Sequence, residues 1–339
     1  MLFNELSANQ LRVAVDAKQT FQAYRDASRA VRQYAGGMTW KTVQGREYLI
    51  KVTTRTGGNK SLGPRSPDTE RIYDEFLAGK ARAKERESHL KQSVLEFSGM
   101  ARQLGINRVP ALAAATLRKL DDFGLLGKNL MVIGTHALYG YESAAGVQFD
   151  AGLMATTDID FLWDSRAKLK LAVLDEAVAE AGVLAILRKL DKSFEPVPHQ
   201  PFRAVNKAGF YVDLVRQTPH PPWKRGEPDR VVSGDLRPSW LENIKWLLSS
   251  EKFQSIVIGQ DGLPAPMVSP DPRAFAMYKH WLSQQPDREP EKKKRDRLQA
   301  QTTIELLRAH FPHLPLNEDA ERMFPKAVRE MSRDISFDL

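Results

Sequence analysis

Asn129-Leu130-Met131-Val132-Ile133-Gly134-Thr135 and, further on, Thr157-Asp158-Ile159-Asp160-Phe161 are the stretches that decide the fold. The first reads as a short buried strand ending in a Gly-Thr turn, the second as a strand with acids at alternate positions. Side chains on a strand alternate between faces, so Asp158 and Asp160 leave from the same one. Two adjacent carboxylates raise the pKa of at least one of them, whereas a divalent cation turns the pair into a favourable oxygen-ligand site. A third acid, Asp213, lies in the strand-like run Phe210-Tyr211-Val212-Asp213-Leu214-Val215. A Gly-Thr turn with three strand-borne aspartates is a set of groups suited to metal-assisted chemistry at phosphorus.

The surrounding composition is that of an ordinary globular protein. Its 339 residues, 42% hydrophobic and 27% charged, suffice for two or three packed units. There is no cysteine, which excludes disulfides and thiolate metal sites and leaves oxygen or imidazole as ligands. No apolar run approaches the roughly 20 residues that span a bilayer, and Met1-Leu2-Phe3-Asn4-Glu5 lacks a basic segment followed by an apolar one. The expectation is a cytoplasmic protein with no membrane partner. A formal charge of +8 favours a polyanionic partner by long-range attraction, which concerns association rather than fold.

Apolar side chains at helical spacing, Leu11, Val15, Phe21, Tyr24 and Val31 among them, predict a long helix from about Glu5 to Tyr34, stopped by Gly36-Gly37. Met38–Val43 and Tyr48–Thr53 flank Gln44-Gly45-Arg46 and predict a hairpin. The basic, Gly-rich stretch from Arg55 to Ser66 is expected to be a loop. A helix with Ser66 as cap should follow from Pro67, its charged part Lys80–Lys91 in solvent, and another should cover Ala111 to Phe123 after Pro110.

The central unit should start near Gly127 with the strand Leu130–Ile133, carry a helix over Lys168–Leu190, and place Asp213 on the second arm of a hairpin turning at Asn206-Lys207-Ala208-Gly209. Pro219, Pro221, Pro222 and Pro228 predict an irregular crossing before Leu241–Leu248, and a mainly helical segment should run from about Pro272. The expected division is residues 1–126, an N-terminal helical unit with a hairpin; 127–220, the core; and 221–339, a mainly helical C-terminal unit.

Transfer of a nucleotidyl group is an in-line displacement at phosphorus, with negative charge building on the attacking and leaving oxygens. Two Mg2+ ions about 3.5–4 Å apart can clamp both oxygens when carboxylates on a rigid surface fix their separation. In this scheme Asp158 and Asp160 hold the ion on the triphosphate and bridge to the second, while Asp213 completes the second site and helps to lower the pKa of the acceptor hydroxyl. Mn2+ can take the place of Mg2+. Gly134, without a side chain, lets backbone N–H groups approach phosphate, and a helix starting near His136 aims its positive end at the same anion. Thr135 adds a hydroxyl donor.

The ordered set Val132-Ile133-Gly134-Thr135, Asp158-Ile159-Asp160 and Asp213 resembles the DNA polymerase β-like nucleotidyltransferase superfamily, whose pattern is an apolar strand, Gly plus a small residue, Asp-x-Asp, and a third Asp on a later strand. Over most of its length the chain is also similar to bacterial nucleotidyltransferase-fold proteins of largely uncharacterised activity, through Met38-Thr39-Trp40-Lys41, Tyr48-Leu49 and Ser61-Leu62-Gly63-Pro64-Arg65-Ser66. The resemblance implies an α+β core with a mixed sheet, flanked by N-terminal and C-terminal helical units. It implies an enzyme that moves an NMP from an NTP to an acceptor hydroxyl and releases pyrophosphate. The acceptor is an RNA end or a protein; a small molecule such as an aminoglycoside, or a catalytically silent nucleotide-binding regulator, is the alternative. Thr135 departs from the usual Ser or Gly, and the long interval from Gly134 to Asp158 implies an inserted loop around Ala144–Ala155.

The C-terminal part resembles the helical part of AbiEii-type toxin nucleotidyltransferases, in which a Lys on one helix meets phosphate and a basic-acidic pair follows on the next. The matching residues are Lys279 and the segment Arg288–Asp296, with Lys294 or Arg295 contacting phosphate or bracing the acids. The resemblance implies nucleotide binding by Lys279 and allows for an antitoxin or other regulatory partner. The alternative for Glu291–Arg297 is a solvated helix face. Core packing is the expected role of Tyr139 and Tyr141, a structural role that of His136, and a helix N-cap that of Asp164. Lys60 and Arg65 either meet an acidic acceptor or belong to a connector.

Overall fold

The computed structural model describes residues 2–52, 58–164, 182–219 and 235–317, together with 322, 324–325 and 328–329. Strand β1 (Phe3–Glu5) precedes helix α1 (Ala8–Gln33), which buries Val13, Ala17 and Phe21 at helical spacing. The helix starts later than expected because Phe3–Glu5 is drawn into a sheet. Strands β2 (Gly37–Val43) and β3 (Arg46–Val52) form the expected hairpin, one residue tighter. Gln44 and Gly45, at φ 49° and 76°, make a two-residue turn whose twist suits the strands, and Arg46 joins the sheet.

Part of the stretch expected to be a loop is a strand. Strand β4 (Asn59–Pro64) pairs antiparallel with β3, and an irregularity at Leu49/Ile50 absorbs the turn-forming residues; residues 53–57 lie outside the described ones. Helix α2 (Pro67–Gln103) starts at Ser66, whose hydroxyl accepts from the Thr69 backbone while Thr69 Oγ1 accepts from the Ser66 backbone. By packing, the chain divides into residues 12–104 and residues 1–11 with 105–339.

Within the larger unit the order is α3 (Ala111–Asp122), β5 (Leu130–Ile133), a 3-10 turn (Gly134–His136), α4 (Ala137–Ala145), β6 (Val147–Phe149), α5 (Ala151–Met154) and β7 (Asp158–Trp163). There follow α6 (Gly182–Leu190), β8 (Glu195–Val197), β9 (Gln200–Val205), β10 (Tyr211–Gln217), β11 (Ser239–Leu241), α7 (Lys245–Ser249), β12 (Lys252–Ile258), β13 (Pro264–Pro270), α8 (Pro272–Ser283) and α9 (Pro290–His310). The expected helix Lys168–Leu190 is described only over Gly182–Leu190. Pro221, Pro222 and Pro228 also lie outside the described residues.

The main sheet has the order β5-β7-β10-β9-β8, with β11 beside β10. It is mixed: β7–β10 and β10–β11 are parallel and the other pairs antiparallel. Strand alternation gives each face its own core. Val132, Ile159, Phe161, Val212 and Leu214 belong to one apolar cluster with residues of α3 and α4. Met131, Ile133, Leu162 and Val215 belong to another with Ile244, Trp246, Met277 and Tyr278. The three acids share the parity of this second set.

Two parts of the unit differ from expectation. The interval Ala144–Ala155 is structured rather than a loop: β6 pairs with β1, and α5 is capped by Asp150, which accepts from Gly152 N at 2.8 Å. Arg108 anchors it, with Nε and Nη2 each 3.1 Å from the buried Glu142 carboxylate and Nη2 2.7 Å from Phe149 O. The hairpin β12–β13 was hidden by Pro264, Pro266 and Pro270. All three have the same parity, so their missing N–H groups cost the ladder nothing, and residues of the other parity bond to β12.

Arg108→Ala leaves the buried Glu142 carboxylate without its countercharge. The expected loss is about 3 kcal/mol of unfolding free energy, measured by urea denaturation.

Candidate active site

Register brings the acids together. In the parallel pair β7–β10, Asp213 lies beside Asp160 and Tyr211 beside Asp158, while Ile133 of β5 lies beside Asp160. The three aspartates therefore emerge from one face, with one oxygen of each within 4.8 Å of the others. Three carboxylates at this spacing, free of sulfur and nitrogen, are a donor set for a hard divalent cation.

Gly134 follows directly from β5 at φ 67°, a left-handed conformation natural to glycine. A Cβ there would collide with Asp160 Oδ2. The turn thus runs against the acid, and α4 begins behind it.

Asp160 is pushed up to about 7, by burial first and then by Asp158 and Asp213; Lys279 and Arg203 oppose the shift. The Thr156 hydroxyl donates to Asp158 Oδ1. Asp213 is buried and held by both arms of Arg203, Nε to Oδ1 at 2.7 Å and Nη2 to Oδ2 at 2.6 Å. The guanidinium lies over the rings of Phe202 and Tyr211, at 5.6 and 5.1 Å. Arg203 is the residue that sequence reasoning missed. Counting outward from the predicted four-residue turn would pair 203 with 212; Asn206, whose N–H donates to Phe210 O, shifts the β9–β10 register by one and sets 203 opposite 213.

Lys279 of α8 is buried, and its Nζ donates to Asp296 Oδ1 at 2.7 Å. Arg288 Nε and Nη2 reach the other oxygen of Asp296, at 2.9 and 2.7 Å, and Asp296 is fully buried. Burial lowers the Lys279 pKa while Asp296 and, more weakly, Asp160 raise it. The motif residues Lys279, Arg288 and Asp296 are thus joined in one network, whereas Lys292 pairs with Glu289 at 3.0 Å on the more exposed side of α9.

Thr135 is buried and its hydroxyl accepts from Gln299 Nε2 at 3.1 Å; the same nitrogen donates to Leu153 O at 3.1 Å. His136 is buried and bonded to the Asp158 backbone, and burial pulls it down to about 4, so it is a neutral imidazole at neutral pH. Tyr139 and Tyr141 are in the core, Tyr141 donating to Pro270 O at 2.8 Å. Asp164 stands outside the acid cluster. Arg65, in the smaller unit, is committed to Glu47 at 2.6 Å and Glu70 at 2.7 Å.

A family model described as Nucleotidyltransferase matches residues 111–325, and the chain belongs to that family. The match spans every strand of the main sheet. No curated protein and no solved structure matches the chain. The protein is therefore an enzyme of nucleotidyl transfer with an α+β fold, and no helix among its described residues is long and apolar enough to cross a membrane.

With a folded-state pKa near 7 against the ordinary 3.8 of an aspartate, Asp160 holds its proton more tightly in the folded state. Its contribution to stability without cation therefore declines as pH rises through that window. Added Mg2+ is expected to raise Tm more at pH 8 than at pH 5, and Asp160→Asn to remove the difference. Thermal melts with Mg2+ or EDTA measure this; an equal Mg2+ shift at both pH values contradicts it.

Proposed function

We propose that the protein transfers an NMP from an NTP to an acceptor hydroxyl, releasing pyrophosphate, with Mg2+ or Mn2+ held by Asp158, Asp160 and Asp213. The observation that carries this reading is the convergence of the three acids within 4.8 Å of one another. Bound divalent ions neutralise charge on the attacking and leaving oxygens and favour ionisation of the acceptor hydroxyl.

The chain's own residues supply the rest. Asp158 and Asp160, fixed by strand β7, hold the nucleotide side of the site, and Asp213 completes the acceptor side. Arg203 fixes the orientation of Asp213 through its two bonds. Gly134 lets backbone N–H groups approach phosphate, and Thr135 presents a hydroxyl beside it. Lys279, anchored on Asp296, contributes positive potential toward a triphosphate.

This arrangement supports placement in the DNA polymerase β-like superfamily, and the Lys279–Asp296–Arg288 network supports the likeness to AbiEii-type toxins. The second likeness favours an RNA end or a protein as acceptor and a regulatory partner such as an antitoxin. The lack of cysteine favours the reducing cytoplasm.

Pyrophosphate release with each of the four NTPs tests the proposal. Asp160→Ala should lower the rate by about a thousandfold, a loss of roughly 4 kcal/mol in transition-state stabilisation, with folding checked by circular dichroism. Equal release by both proteins rejects the site. Labelled NTP added to a total cell extract, followed by separation of RNA, protein and small molecules, identifies the acceptor.

A further inference from the structure

The family match begins at residue 111 and leaves residues 12–104 without a role. This smaller unit holds the net charge of the chain. Of 50 Lys and Arg it contains 18, against 10 of the 42 Asp and Glu; the surplus of 8 equals the whole net charge of +8, and the other residues carry 32 of each sign.

The sheet β2-β3-β4 presents part of that excess in a defined pattern. Trp40 and Leu49 are cross-strand partners, and Trp40 contacts the ring of Tyr73 on α2 with centroids 5.8 Å apart, so that parity faces the helix. The opposite parity carries Lys41 directly across from Tyr48, with Arg46 two residues along the same strand. Toward the far end of β3, Lys51 stands directly opposite Lys60 on β4, both on the parity of Leu49 and so on the other face of the sheet. Like charges across a ladder destabilise a sheet unless something compensates them.

Among the described residues, Lys41, Arg46, Lys51 and Lys60 make no ion pair. Lys41, Arg46 and Lys60 are exposed, and Lys51 and Tyr48 are half-buried. Other cations of the unit are engaged: Arg65 by two acids and Lys80 by the Gly36 carbonyl at 2.5 Å.

We propose that the face of this sheet turned away from the helix binds a single-stranded nucleic acid, with phosphates on Lys41 and Arg46 and a base on the face of Tyr48. An aromatic ring set among unneutralised cations matches a polyanion that also carries stacking surfaces. An acidic protein offers no such regular π-faces. A bilayer surface would call for a contiguous apolar face, and Val43 is the one large hydrophobic side chain exposed on this sheet. Binding here is independent of the three aspartates.

Fluorescence anisotropy of the full chain with labelled 20-nucleotide RNA and DNA of one sequence, in EDTA and without NTP, tests the proposal. The two arms show which nucleic acid is preferred. The variant carrying Lys41→Gln and Arg46→Gln is expected to bind about tenfold more weakly, whereas Lys51→Gln with Lys60→Gln, on the opposite face, should stay within about threefold of the wild type. The slope of log affinity against log salt of the Lys41→Gln, Arg46→Gln variant should be reduced in magnitude by about 1.4, as two phosphate contacts on a single strand require. Tyr48→Ala should weaken binding about tenfold at every salt concentration. Asp160→Ala should bind like the wild type, which separates this result from failure of the transferase reading.

As a charge control, Lys128→Gln, Lys192→Gln, Lys207→Gln and Lys245→Gln in the larger unit should leave affinity within about threefold of the wild type. Circular dichroism confirms folding of each variant. Equal loss in the Lys41→Gln, Arg46→Gln variant and in either control set, no oligonucleotide binding at about 50 mM salt, or binding only to phosphatidylserine vesicles or to poly-glutamate overturns the proposal.

Discussion

Two carboxylates side by side on parallel strands repel one another, and the site depends on packing that holds them there. Asp160 and Asp213 are ladder neighbours because β7 and β10 pair in one register, and a slip of β10 by one residue would turn Asp213 toward the opposite core. Leu162 and Val215, two residues farther along the same strands, are buried with Ile244, Trp246 and Met277 and lock that register. The apolar core thus does electrostatic work: it keeps an acidic cluster assembled, and burial first, then Asp158 and Asp213, raise the pKa of Asp160.

Countercharge is distributed accordingly. Arg203 is committed to Asp213 by two short bonds, whereas Lys279 acts on Asp160 while anchored on Asp296. Neither arrangement makes the acid cluster neutral. A fully neutralised trio would have little need of a cation, and three acids without any countercharge would resist folding. The structure lies between these limits.

Period-two patterning made the central strands legible. Asp158 and Asp160 declare a shared face because acids at every second position of an apolar run must leave the pleat on one side, and Asp213 stands out as a single acid within such a run. Ser66 before Pro67 declares a helix start through its hydroxyl. What escaped were contacts between distant segments. Strand β1 is three residues long and makes sense only beside Val147–Phe149; Asp296 reads as one more charge on a charged helix until the fold buries it against Lys279 and Arg288. The Arg55–Ser66 stretch concealed β4 because its glycine and proline content describes local freedom, which pairing with β3 overrides.

The prolines of β13 have a consequence beyond their own hairpin. With Pro264, Pro266 and Pro270 at one parity, the margin of that strand turned away from β12 is nearly bare of amide hydrogens, only Val268 retaining one at that parity. Every residue of the strand is buried, so an amide hydrogen on that margin would have to find its partner inside the protein, and proline removes the need. The strand is thus suited to an interior position, where each unpaired donor would carry a desolvation penalty.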